Sequence, residues 1–132
     1  MNFKENKAIY LQIADRLCNE ILLEQYKEEE RVPSVREYAA VVEVNFNTVM
    51  RSYDYLQSQG IIYNKRGIGY FVSTGAKQHI HSFQKENFMQ NELTGFFRQL
   101  DLLQIPLSEV TVLYNEYKKQ QSLNSRSNET DN

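Results

Sequence analysis

One segment constrains this chain more than any other. It begins Arg31-Val-Pro-Ser-Val-Arg-Glu-Tyr-Ala, continues through Val44-Asn-Phe-Asn-Thr-Val-Met-Arg, and closes with Gly60-Ile-Ile and Arg66-Gly67-Ile-Gly69-Tyr-Phe-Val. Ser34 followed three residues later by Glu37 is a capping box, which fixes where a helix begins. That helix is short, runs through Tyr38, Ala39 and Val42, and ends near Glu43-Val44. Asn45 caps a second helix, predicted over residues 46–59 and stopped at Gly60, a residue able to take the left-handed conformation past a helix end. Ile61 to Asn64 and Gly69 to Val72 are β-branched and aromatic runs around Lys65-Arg66-Gly67-Ile68, the pattern of a β-hairpin. Helix, tight turn, helix and hairpin in that order make a winged helix-turn-helix.

The polar residues of this segment cluster where such a module meets DNA. On the second helix Val49, Tyr53 and Leu56 form the core face. Asn47, Thr48, Arg51 and Tyr55 lie opposite, at spacings that make them neighbours. Asn suits adenine, Arg suits guanine, and Thr suits a thymine methyl or a phosphate. At the hairpin tip Lys65 and Arg66 sit beside Gly67, where a close backbone approach to the sugar-phosphate rail and a positive φ both favour glycine. Arg36 on the first helix of the motif is in place for a phosphate, with an intramolecular ion pair as its rival role. The whole chain carries a net charge of −2, so any nucleic-acid site is local, not a product of bulk charge. Residues 31–72 do carry a local excess of cations, Arg31, Arg36, Arg51, Lys65 and Arg66 against Glu37, Glu43 and Asp54.

The rest of the 132 residues supports this module. Ile9, Ile13, Leu17 and Ile21 recur every four positions and predict an amphipathic helix over residues 8–23. Cys18, the single cysteine, lies among them as a small core residue. Beyond Gly75 the composition changes. Met89, Leu93, Phe96, Leu100 and Leu103 step by four, three, four and three, a heptad-like seam on a helix over residues 78–104. Pro106 breaks it, and a second helix capped by Ser108 carries Val110, Leu113, Tyr114 and Tyr117 on one face. After Gln121 the Ser- and Asn-rich sequence lacks apolar anchors and predicts disorder. The expected division is a winged domain over residues 1–75, a two-helix tail over 76–121 for dimerisation or effector binding, and a disordered 122–132. The fold class is mainly α with one small hairpin.

Several functions are disfavoured. His79 and His81 are the only histidines and stand at no clear ligand spacing with other donors, so no metal or other cofactor is expected. No nucleophile-base order, glycine-rich phosphate loop or carboxylate pair anchors catalysis, and the chain is not read as an enzyme. No run of about 18 apolar residues suggests a membrane span, and the polar N-terminus does not resemble a secretion signal. The expected location is the cytoplasm.

Taken together, Ile9-Tyr10-x-Gln12-Ile13-Ala14, Arg31-Val-Pro33-Ser34-x-Arg36-Glu37-x-Ala39, Val44-Asn45-x-Asn47-Thr48-Val49-x-Arg51-x-Tyr53-x-x-Leu56, Gly60 and Arg66-Gly67-x-Gly69-x-Phe71-Val72 resemble the DNA-binding domain of GntR-family transcriptional regulators. The resemblance implies that Arg36, Asn45, Asn47, Thr48 and Arg51 lie in the operator-binding surface and Arg66-Gly67 in a minor-groove wing. The family often has glycines where Glu24 and Glu29 stand, so the loop between the first two helices is expected to differ in shape. The short tail resembles that of the YtrA subfamily, which implies a homodimer and transport-related target operons. The expectation is a repressor binding a palindromic double-stranded DNA operator as a homodimer, with a small-molecule effector left open. A winged domain used as a protein-interaction module is the alternative, motivated by the negative net charge.

Overall fold

The structure is a computed structural model and describes residues 7–130. Residues 1–6, at the head of the expected DNA-binding domain, and 131–132, at the end of the expected disordered tail, lie outside the described residues. The chain divides into two compact units, one reaching to Lys85 and one beginning at Glu86.

The first unit contains α1 (Ile9–Leu22), α2 (Val35–Val42), α3 (Phe46–Ser58), β1 (Ile62–Lys65) and β2 (Gly69–Val72), followed by most of α4 (Ala76–Asn87). Its core is the apolar stripe of α1, with Ile13, Ala14, Leu17, Cys18 and Ile21 all buried. Against this stripe pack Val35, Tyr38 and Val42 of α2, Val49, Tyr53 and Leu56 of α3, and Ile61, Ile62 and Val72 of the hairpin. Burial pushes the Cys18 thiol up to about 12, the state of a core thiol that stays protonated. The predicted winged helix-turn-helix is therefore the observed fold, with one strand-like addition. Arg31 bridges Phe71, and Val32 N–H donates to the Tyr70 carbonyl at 3.0 Å, so the segment before α2 extends the two-stranded sheet.

Four boundaries differ from the sequence expectation, each for a local reason. The first unit does not stop at residue 75, because Ala76 and Ile80 are fully buried in its core with Phe83 packed alongside. The helix predicted over 78–104 is not uniform: α4 gives way to a π-helical turn at Phe88–Glu92 before α5 (Leu93–Leu102). A π turn has wider spacing than an α turn, so the straight heptad register does not carry through Met89. The last helix, α6, begins at Leu107, which puts Ser108 inside its first turn instead of at the cap. It also runs to Thr130, past the predicted onset of disorder, because no glycine or proline occurs after Pro106.

In the second unit α5 ends at Leu102 with Leu103 as its C-cap; the next residue, Gln104, is a non-glycine with φ of 57°, and the Ile105 N–H closes the turn onto the Leu100 carbonyl at 2.9 Å. Leu100 is buried, and Leu93 and Val110 are half-buried. Met89, Phe96, Leu103, Leu113 and Tyr117 are exposed. Among the described residues no helix is long and apolar enough to cross a membrane.

Candidate nucleic-acid interface

The interface is built from the caps outward. Ser34 Oγ accepts from the Glu37 N–H at 3.0 Å, and Glu37 Oε1 accepts from the Ser34 N–H at 3.2 Å, so the capping box is complete. These bonds hold the Glu37 carboxyl below the usual range for a glutamate. α2 ends at Glu43, whose φ of 56° and ψ of 47° make the tight turn. Asn45 Oδ1 then accepts from the Asn47 N–H at 2.8 Å and starts α3. Asn45 is exposed, and with its side-chain oxygen accepting the cap bond, its amide NH2 is left to donate to an external acceptor.

Asn47 and Arg51 are exposed and Thr48 is half-buried, together on the first turns of α3. Arg36 is exposed on the first turn of α2. Lys7 pairs with Asp15 and Lys77 with Glu24, whereas among the described residues no carboxylate pairs with Arg36 or Arg51. Arg51 instead places its guanidinium carbon 3.9 Å from the ring centroid of Tyr10 on α1. An open cleft of about 390 Å³, lined by Ala8, Ile9, Tyr10, Asn47, Thr48 and Arg51, separates the start of α1 from α3. Tyr55, expected on the same polar face, is half-buried and packs edge-on against Tyr10 and Phe83.

The wing is an antiparallel pair in register Ile62↔Val72 to Lys65↔Gly69. Its turn is closed by the Ile68 N–H donating to the Lys65 carbonyl at 2.9 Å. Gly67 has φ of +80°, the left-handed conformation expected at the tip. Arg66, Gly67 and Ile68 are exposed. Lys65 Nζ lies 4.5 Å from the Phe71 ring centroid, above the stacked Tyr63–Phe71 pair. At Gly69 a Cβ would sit 2.8 Å from Arg31 Nε, so Arg31 lies directly against the wing.

A family model described as bacterial regulatory proteins, gntR family, matches residues 9–72. Over 108 residues the chain is 33% identical to the HTH-type transcriptional regulator YhcF of Bacillus subtilis, an alignment covering 82% of this chain and 88% of that protein. The chain belongs to the GntR family.

This GntR-family regulator is also 36% identical over 74 residues to the Bacillus subtilis transcriptional repressor YtrA, covering 56% of this chain and 57% of YtrA. The crystal structure of a GntR-family protein from Bacteroides thetaiotaomicron superposes with a TM-score of 0.75 at 60% identity, covering 86% of this chain and 99% of that one. The GntR chain is therefore a winged-helix transcriptional regulator with a YtrA-like relationship.

Beyond the residues singled out from sequence, the GntR fold brings Tyr10, Arg31 and the exposed Phe46 to this surface. Arg31 stood in the local charge excess. Tyr10 gave no separate signal, because its contact with Arg51 joins two helices far apart in sequence.

Proposed function

We propose that this GntR regulator is a repressor that binds an inverted-repeat operator as a homodimer, reading bases through Asn47, Thr48 and Arg51. Two recognition helices related by a dimer axis would enter successive major grooves about 34–36 Å apart. Arg36 and the Asn45 side-chain amide NH2 would position the helix on phosphate, and Lys65, Arg66 and Gly67 would place the wing in the flanking minor groove. The observation that carries this reading is the first two turns of α3. They present donors and acceptors to solvent, and among the described residues no carboxylate is paired to Arg51. A second copy of the chain is the proposed cover for the exposed side chains of Met89, Phe96, Leu103, Leu113 and Tyr117, with Leu93, Leu100 and Val110 supporting that face from within. The YtrA-like relationship favours a transport operon as the target.

Selection of bound sequences from a random double-stranded pool at two salt concentrations tests the proposal, because phosphate contacts make affinity fall as salt rises. The expected result is an enriched inverted repeat, with Arg51→Ala costing about 1–3 kcal/mol of discrimination at one base pair of each half-site. No enrichment at either salt would overturn it.

A further inference from the structure

The arginine of the recognition helix is held by an aromatic ring from another helix. Arg51 Cζ sits 3.9 Å from the Tyr10 centroid. At that distance the planar cation lies against the ring, where the ring quadrupole attracts it. A guanidinium carries its N–H donors around its edge, within its plane. A guanidinium that meets a ring by its face keeps its edge free for a bidentate acceptor such as the O6/N7 pair of guanine.

Tyr10 is itself fixed by two contacts within the first unit, the second of them backed by a further ring. Its carbonyl oxygen accepts a hydrogen bond from Ser52 Oγ at 2.6 Å, and Ser52 is the fully buried polar neighbour of Arg51 on α3. Its ring meets Tyr55 edge-on, with centroids 6.2 Å apart and planes at 81°. Tyr55 in turn meets Phe83 of α4 edge-on at 6.4 Å and 86°. Phe83, Tyr55, Tyr10 and Arg51 thus form one continuous train from α4 to the DNA-facing turn.

We propose that Tyr10 is a positioning residue for base readout, fixing the guanidinium plane of Arg51 so that the arginine meets its base without first ordering a long side chain. This rests on the reading of Arg51 as a base reader. Tyr10 does not touch the base. It sets the direction from which Arg51 approaches.

The test is the same random-pool selection run with wild type, Arg51→Ala, Tyr10→Leu and Tyr10→Phe, in full-length protein. Arg51→Ala defines the base pair that the arginine reads. Tyr10→Leu should weaken preference at that base pair by about two- to fivefold and leave the other positions of the motif unchanged, while Tyr10→Phe keeps it. A second pair guards against misfolding of the leucine variant: phenylalanine and pentafluorophenylalanine at position 10 have nearly the same shape but opposite ring-face potential. Only the fluorinated ring should reproduce the loss. If Arg51→Ala removes a preference that Tyr10→Leu and the fluorinated ring both retain, the positioning role is overturned while DNA reading stands. Sharper preference in Tyr10→Leu would equally overturn it, since the ring would then be restraining Arg51 from the base. If wild type enriches no motif, the DNA-reading proposal fails and this one fails with it.

Discussion

The Tyr53 hydroxyl donates a 2.6 Å hydrogen bond to the Pro33 carbonyl oxygen, tying the buried face of the recognition helix to the residue before the α2 cap. Tyr53 is fully buried between Tyr38, at 6.1 Å, and the edge-on ring of Tyr70, at 5.0 Å. One side chain therefore joins both helices of the motif to the wing. Tyr53→Phe keeps the packing and removes the donor. It should cost about 1–3 kcal/mol, the penalty for leaving a shielded acceptor unpaired. Urea unfolding at unchanged m-value measures it, and an unmoved midpoint would show that the carbonyl finds water instead.

The same burial gives the fold an alkaline limit. Desolvation raises the phenols of Tyr53 and Tyr38, the latter also through its hydrogen bond to Glu20, and raises the Cys18 thiol from 9.0 to about 12. In each case the folded state holds the proton more tightly than the unfolded chain, so the contribution is complete below the unfolded pKa and is lost as pH rises above it. Loss should begin near pH 9 with Cys18 and steepen above about pH 10 with the tyrosines. Cys18→Ala should flatten the stability profile between those two points without changing the tyrosine limb. Urea titrations from pH 7 upward would detect this, and a variant profile parallel to wild type would refute the assignment to Cys18.

Glu43 makes the turn of the motif in the left-handed conformation, with φ of 56°. L-residues with a Cβ are strained there, whereas glycine is not. Glu43→Gly should stabilise the first unit by about 1 kcal/mol, the strain relieved being partly offset by the freer unfolded chain. Thermal unfolding would read this as a higher Tm. A lower Tm would mean that the glutamate side chain contributes more to the turn than its backbone costs.

Positive-φ glutamates also mark where the sequence was hard to read. The capping box, the Asn45 cap and the hairpin turn were legible because each depends on residues two to four positions apart. Glu24 and Glu29 were expected to alter the loop, since glycine is common there in the family. Both nonetheless hold left-handed backbone, with φ of 63° and 67°. Glu29 also accepts from the Tyr63 and Thr74 hydroxyls, so tertiary contacts accompany a conformation that the residue type disfavours. Tyr55 was misplaced for a related reason. Its position on α3 matches the polar face, yet Tyr10 from α1 and Phe83 from α4 cover it. Helical spacing locates a face but does not say which distant elements will pack on it.

The exposed tail sets the last prediction. Leu103 is 66% exposed, Leu113 58% and Phe96 42%, a concentration of apolar surface that a monomer would leave in water. Phe96→Asp combined with Leu113→Asp should leave each chain folded, because both side chains already face solvent, and should convert a dimer to a monomer through desolvation of two charges at the shared face. Sedimentation equilibrium reads the mass directly. Affinity for a full inverted repeat should fall by about 10²–10⁴-fold toward that for a single half-site, since the linkage between two recognition helices is lost while each keeps its own contacts. A variant that stays dimeric would place the association surface elsewhere. A monomeric variant with undiminished affinity for the repeat would show that the two half-sites are bound independently.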